Sequence, residues 1–359
     1  MKTIKILGGG ISGLTAAITL KKAGFNVEIH EIKKYCGKHT NDFQFLENWT
    51  SKENILDYLK RIGIKIDFYT KPLYSQEILS PSLKSYNGVS KNVLMYLVKR
   101  GKSKNSIDFS LCKQALKLGV KIVYNSNLNK DEADIIAKGS FKPSAITFGI
   151  KFKINLPDKI LVLLDNNLSY FAYSYLVIND NTGEITTLAF NLDNYKINME
   201  KKLKLTIRKF EDILNIKISR IDEKFSGIVS YDFNLDAKIN NHLLIGESAG
   251  FQDALAGFGM KYAFSSGYLA AQSIIMKKDY NKLWQKEFLH LLEAARSNRT
   301  IYNSLTNKSY ERIINFLNNH RFLVRICFGS SDFQKILKRL YATRLTYFLN
   351  KPIIRYFKK

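Results

Sequence analysis

Gly8-Gly9-Gly10-Ile11-Ser12-Gly13 is the stretch that decides the fold. An apolar, β-branched segment, Thr3-Ile4-Lys5-Ile6-Leu7, runs into it. The residues after it place Leu14, Ala17, Ile18 and Ala23 on one helical stripe, with Gly24 as the C-terminal stop. A second strand follows, Asn26-Val27-Glu28-Ile29-His30-Glu31. Strand, glycine turn, helix and strand within about 30 residues make one βαβ unit. Gly8 permits the tight turn, Gly10 lets backbone approach a pyrophosphate, and Gly13 lets the helix pack close to the strand. Ile11 and Ser12 open the helix, whose free N–H groups and positive dipole end attract an anion. Glu31 is placed to accept hydrogen bonds from ribose hydroxyls, and an acid there disfavours a 2′-phosphate. These features predict a Rossmann-type dinucleotide site. By themselves they do not separate NAD from FAD.

A second stretch narrows the choice. Leu243-Leu244-Ile245-Gly246-Glu247-Ser248-Ala249-Gly250 reads as a strand ending in glycine and an acid. Ala256-Gly257-Phe258-Gly259-Met260 follows, and then a helix carrying Ala263, Ser266-Gly267 and Ala270-Ala271. The acid after Gly246 can bond ribityl or ribose hydroxyls. Gly257 and Gly259 would let backbone lie flush against a flat ring. A helix starting near Met260 would aim its positive end at the ring edge that carries negative charge when reduced.

On these residues the chain resembles the FAD-dependent oxidoreductases of the hydroxybenzoate-hydroxylase fold, and within them the geranylgeranyl reductase family. The likeness covers residues 1–31 and 242–271 closely and 107–140 loosely. It implies bound FAD, with Gly8, Gly10, Ile11, Ser12, Gly13, Glu31, Gly246, Glu247, Gly257, Gly259 and Met260 around the cofactor. It implies reduction of carbon–carbon double bonds in an isoprenoid or lipid-like substrate by hydride from reduced flavin. Cys36 is the catalytic candidate it offers, because a cysteine after this strand can lie near the flavin; a small buried thiol is the plainer reading. The family's substrate signature, Tyr-x-Trp-x-Phe-Pro, is represented by Phe171-x-Tyr173-x-Tyr175-Leu176. Those three aromatics, two residues apart on one strand face, would either wall a substrate tunnel or pack the sheet. The chain departs from the family at Glu247, where an Asp is usual, and at Lys138. It departs again at Ser106, where an arginine usually precedes the segment matching Ile107-Asp108-Phe109. A flavin monooxygenase, a non-redox flavin-dependent cyclase and a flavin-binding protein with a decayed site are the rival functions. There is no second glycine fingerprint, so NAD(P)H or a reduced carrier protein would act as a transient donor.

The texture between the two motifs differs. From about 145 to 235 short aromatic strands alternate, at 160–164, 170–178 and 184–190, with Asp180-Asn181-Thr182-Gly183 as a hairpin turn. A helix is expected at 199–214, and others at Ser51–Gly63, with Ser51 as its cap, and at 107–118. Residues 72–100, with Pro72, Pro81 and Gly88, read as irregular. The expected fold is α/β: a discontinuous Rossmann-type FAD-binding domain (1–70, 101–144 and 236–280), an inserted antiparallel β-sheet substrate domain (71–100 and 145–235), and a helical C-terminal region (281–359).

The chain has 359 residues, enough for two domains with cores, and 45% are hydrophobic. No run approaches the ~18 apolar residues of a membrane span, and no secretory signal is read at the N-terminus. Cys36, Cys112 and Cys327 are too few and scattered for a disulfide framework or zinc site. A cytoplasmic protein is expected, with no metal. The net charge of +25 comes from 56 Lys and Arg against 31 Asp and Glu. No nucleic-acid module accompanies it. Part of it follows a pattern. Phe333, Ile336, Leu337, Leu340, Tyr341, Leu345, Phe348 and Leu349 recur at helical spacing among Lys335, Lys338, Arg339 and Arg344. Such a basic helix either lies on an anionic membrane, peripheral to its inner face, or packs on its own domain. The oligomeric state is not legible.

Overall fold

Ile4–Leu7 (β1) hydrogen-bonds in parallel to Val27–His30 (β2), and Ile11–Lys22 (α1) connects them, in a computed structural model that describes residues 2–37, 40–139, 143–192, 197–320, 324 and 330–342. Lys121–Val123 (β3) extends the sheet beyond β2. Ile135–Ile136 (β4) and His242–Leu244 (β5) extend it beyond β1, all in parallel. The spatial order is therefore β3-β2-β1-β4-β5, with Lys238–Ile239 antiparallel at the edge. This is the doubly wound arrangement, whose crevice lies at the carboxyl ends of the strands where the order reverses. Ile107–Lys117 (α2) leads into β3, and Met260–Ile275 (α3) follows β5.

The chain divides into two compact units. The first comprises Met1–Pro72, Met95–Lys142 and Ser230–Leu292; the second comprises Leu73–Leu94, Pro143–Val229 and Glu293–Lys359. The helices after residue 280 are thus shared between them. The first unit holds the parallel sheet and a small sheet in which Met95–Lys99 lies between Phe43–Glu47 and Thr70–Leu73.

The second unit is built on a seven-stranded sheet. Its order is 223–229, 145–153, 182–190, 174–179, 159–163, 75–79, 85–89. All its pairings are antiparallel except Leu161–Leu163 with Glu77–Leu79. The helix Met199–Leu214 seats Leu203 and Phe210 on Ile150, Phe152, Leu161, Leu176, Ile178 and Ile185. The hairpin at Asp180-Asn181 holds, with φ of 50° and 55° at the two residues. Positive φ at both central positions is the tight-turn geometry that matches strand twist.

Three local expectations are corrected. Residues 72–100 are not irregular, since they contribute to four strands. Pro72 sits in an edge strand, where no ladder donor is lost. Gly88 also sits at an edge, and a Cβ there would strike the ring of Phe333 (2.5 Å). The early helix begins at Ile55 rather than Ser51, because Asn54 caps it by accepting from Leu56 N (2.9 Å). The aromatic strand begins at Ser174, because Phe171 takes a φ of +46° and breaks the extended run.

No helix among the described residues is long and apolar enough to cross a membrane. In the helix Phe333–Ala342, Phe333, Ile336 and Tyr341 are buried within the second unit. Leu345, Phe348, Leu349 and Arg344 lie outside the described residues.

Helix α1 touches α3 closely. A Cβ on Gly267 would collide with the backbone carbonyl of Ser12, which cannot withdraw. Gly267→Ala is expected to cost about 1–3 kcal/mol, the usual penalty of overpacking. A lowered urea midpoint with an unchanged slope would show it.

Candidate functional site

The glycine turn at the end of β1 divides into two kinds of position. Gly8 has a φ of +112°, and a Cβ there would lie 2.5 Å from the Ala137 carbonyl oxygen. A Cβ on Gly13 would collide with the Gly8 carbonyl. Both glycines are demanded by the protein itself. Gly10 is different. Its φ of −81° suits any residue, and a Cβ would meet nothing within 4 Å. Neither backbone strain nor packing explains a glycine there.

Gly10 is also the N-cap of α1, and no side chain caps that helix. Its first turn contains no acid. Ile11 and Ser12 are buried at 5% and 6% exposure, so the backbone donors of this turn face a protected surface. Unfilled donors and an unopposed dipole make a place for an anion. Glu31 is buried beside it, accepting from Gly9 N (2.7 Å) and Lys33 N (3.0 Å). An ionised carboxylate offers about four lone-pair sites, so two remain.

The second motif arrives at the same place. Gly246 has a φ of +58°, and a Cβ on it would lie 2.7 Å from Ser12 Oγ. Its N–H donates to Ser266 Oγ (2.9 Å) on α3. Glu247 accepts from Ser230 N (3.1 Å). Burial pushes its carboxyl up to about 7, and the Ser230 N–H and the Arg100 guanidinium oppose that rise. Gly257 has a φ of +80°, and Gln252 Nε2 donates to its carbonyl (2.8 Å). Gly259 caps α3 without a side-chain hydrogen bond, and Met260 is buried behind it. The first turn of α3 also lacks an acid and carries Lys261. A cation there adds to the positive helix end rather than offsetting it.

Several groups escaped the sequence reading. Arg100 grips Asp108 with two bonds, Nε to Oδ2 (2.8 Å) and Nη2 to Oδ1 (3.0 Å). Burial alone would lower the arginine, yet Asp108 beside it holds it above its ordinary range. Arg100 thus reaches α2 from the far side of the 101–106 loop. Near the start of α3, Glu47 is 1% exposed and accepts from Thr50 Oγ1 (3.0 Å), which in turn accepts from Lys261 Nζ (2.9 Å). Burial and the Asp253 carboxylate push Glu47 up to about 7 against the pull of Lys261. Spacing alone gave no signal for either cluster, because each joins separate strands and loops.

Cys36 lies behind the turn, where a Cβ on Gly9 would be 3.2 Å from its Sγ. Phe171, Tyr173 and Tyr175 belong to the second unit. Only Tyr175 is in a strand, so they do not form one strand face. They are half-buried, while Ala172 and Ser174 between them and Leu176 after them are fully buried. The sheet is therefore packed by the intervening residues. Arg299 Nη1 donates to the Phe171 carbonyl (2.9 Å), and its guanidinium lies 4.3 Å from the rings of both Phe190 and Tyr302.

Arg100→Met is expected to cost about 3–5 kcal/mol by stranding the Asp108 carboxylate, and Asp108→Leu in the same chain should recover most of it. Denaturant unfolding of the single and double variants reads both. Glu247 is neutral in the folded state at a pH where it ionises in the unfolded chain. Its contribution is complete below pH 4.5 and is lost as pH rises through about 7. Glu247→Gln should therefore flatten the fall in stability across that window, measured by unfolding at a series of pH values.

The NAD(P)-binding Rossmann-like domain family matches residues 6–65. No curated protein matches the chain in sequence. Its fold is similar to that of a geranylgeranyl bacteriochlorophyll reductase-like protein from Thermoplasma acidophilum, at 17% identity and a TM-score of 0.74, covering 98% of this chain and 99% of that one. A flavoprotein/dehydrogenase from Cytophaga hutchinsonii is similar at 14% identity and a TM-score of 0.63, with 100% and 96% covered. A flavin-dependent brominase is similar at 13% identity and a TM-score of 0.62, with 100% of each chain covered. The chain has the fold these proteins share: a Rossmann-like domain, an additional sheet that is largely antiparallel, and C-terminal helices.

Proposed function

We propose that this chain is an FAD-dependent oxidoreductase that reduces carbon–carbon double bonds of an apolar, isoprenoid-like substrate. The observation that carries the cofactor is Gly10, a glycine that the protein's own backbone and packing do not require, at the head of an uncapped helix. A dinucleotide pyrophosphate lying against that backbone supplies the missing reason. The N–H groups of Ile11, Ser12 and Gly13 would hold the pyrophosphate, and Glu31 the ribose hydroxyls. Gly246 and Glu247 would hold the ribityl side, and Gly257 to Met260 would line the ring. When bound, the flavin supplies two-electron chemistry; the chain supplies binding, exclusion of water and a helix N-terminus that favours negative charge. NAD(P)H or a reduced carrier would deliver electrons transiently.

FAD is preferred over NAD because the second glycine motif belongs to the same unit as the first, and because flavoproteins are among the proteins of like fold. The reductive reading rests on the family likeness and on the half-buried aromatics Phe171, Tyr173 and Tyr175 of the second unit. Contact with a membrane, in this reading, is made through the C-terminal basic helix that carries the exposed Lys335, Lys338 and Arg339.

Absorption and mass spectrometry of the cofactor released from purified protein should identify FAD. Gly10→Val should weaken FAD binding about a hundredfold, the loss of one or two hydrogen bonds to a charged group. It should change the stability of the cofactor-free protein by no more than about 1 kcal/mol, since the new methyls enter open space at an N-cap. Undiminished FAD binding by that variant would overturn the site. With a reductant and a polyprenyl lipid, the product should gain hydrogen pairs; a product that gains oxygen would assign the chain to the monooxygenases instead.

A further inference from the structure

One cluster of reactive side chains in the first unit has no part in cofactor binding. Cys36 and Cys112 are both free thiols. Each Sγ lies against the hydroxyl of Tyr124, at 3.6 Å and 3.4 Å, so one hydroxyl bridges the two thiols. Three elements converge to place them: the loop after β2, helix α2, and the residue after β3. The convergence is fixed at its base. Gly37 N donates to Gly9 O (3.0 Å), and a Cβ on Gly37 would collide with Asp108, the residue that Arg100 clamps. Cys36 precedes Gly37, and Cys112 stands one helical turn beyond Asp108. The same packing that seats the loop on α2 therefore brings both sulfurs to the Tyr124 hydroxyl.

The two thiols are not equivalent. Cys36 is 7% exposed, whereas Cys112 is half-buried. The hydrogen bond with Cys112, together with burial, holds Cys36 protonated above the ordinary thiol range. The neighbouring thiol pulls Cys112 below the ordinary thiol range, against burial and with help from the Tyr124 hydroxyl. One reachable thiolate with a protonated thiol beside it is the arrangement that two-step thiol oxidation requires.

We propose that Cys36 and Cys112 are a redox-active dithiol that hydrogen peroxide converts to an intrachain disulfide behind the glycine turn. The Cys112 thiolate attacks a peroxide oxygen, the O–O bond breaks, and hydroxide leaves. Cys112 is then a sulfenic acid. The Cys36 sulfur attacks the Cys112 sulfur; the S–S bond forms, the S–O bond breaks, and the departing hydroxide takes the Cys36 proton as water. The first hydroxide takes up the proton that Cys112 released on ionising. The dithiol loses two electrons and one peroxide becomes two waters. Tyr124 is a positioning residue that holds the Cys112 thiolate by donation. Both sulfurs lie against one hydroxyl, and the disulfide requires them to close to about 2.05 Å.

The test uses the full chain carrying Cys327→Ser, since Cys327 lies outside the described residues. Stoichiometric hydrogen peroxide should remove both remaining titratable thiols, and digestion should yield a peptide linking Cys36 to Cys112 that dithiothreitol reverses. The unsubstituted chain should yield the same linked peptide, which guards against an effect of the substitution on folding. Cys36→Ser should halt the reaction at a dimedone-reactive Cys112. Cys112→Ser should slow oxidation at least about tenfold. In Tyr124→Phe the rate should rise with pH at a higher midpoint than in the parent. Separate over-oxidation of the two cysteines, a link between two chains, or inert thiols would overturn the proposal. None of these readings requires bound flavin, so they stand or fall apart from the cofactor assignment.

Discussion

The close approach of helix α1 to its neighbours is the constraint on which the first unit depends. Gly8 and Gly13 let the helix settle on the end of β1, Gly246 makes room for Ser12, and Gly267 lets α3 press against the Ser12 carbonyl. Each contact excludes even a methyl group. Because the contacts of Gly13, Gly246 and Gly267 bear on Ser12 and Gly13, and that of Gly8 on Ala137, the segments after β1 and after β5 are drawn to the same edge of the sheet. Two helices with uncapped N-termini then belong to one crevice, at the place where the strand order reverses.

This explains why the core of the site was legible in the sequence. A backbone contact that tolerates no side chain leaves a glycine, and a glycine at a fixed offset is visible without coordinates. Strand order could not be read that way, because it depends on pairings between distant stretches of chain. The Arg100–Asp108 pair was not legible, because the geometry of the intervening loop decides whether the two meet. Residues 72–100 were misread because Pro72 and Gly88 look like breakers and are in fact tolerated at sheet edges. The aromatic run was misread because alternation in composition does not reveal a left-handed Phe171. Its burial pattern kept the alternation even where the strand did not.

Buried charge is concentrated around the same crevice. Glu47, Asp253 and Glu247 lie near the beginning of α3 or the turn before it, and desolvation holds Glu47 and Glu247 up to about 7. Lys261 and Arg100 offset part of that cost. Protein cores seldom keep unneutralised carboxyls without a reason. Here Lys261, Thr50, Arg100 and the Ser230 N–H supply the partial compensation.

The first unit is assembled from three separated stretches of chain, and this has a consequence for how the protein is made. Strand β1 sits at the centre of its sheet, yet one flank is covered only by Ile135–Ile136, which in turn pairs with Leu243 and Leu244. At synthesis rates of about 5–20 residues per second, the amino-terminal βαβ unit waits roughly 10–50 s before the last strand that completes its sheet has been translated. During that interval β1, Ile4-Lys5-Ile6-Leu7, lacks first the strand that covers its open edge and then the strand that completes the sheet. Long-range pairing of this kind folds slowly and is exposed to wrong partners. The nascent amino terminus, rather than the finished molecule, is therefore where this chain most needs a chaperone.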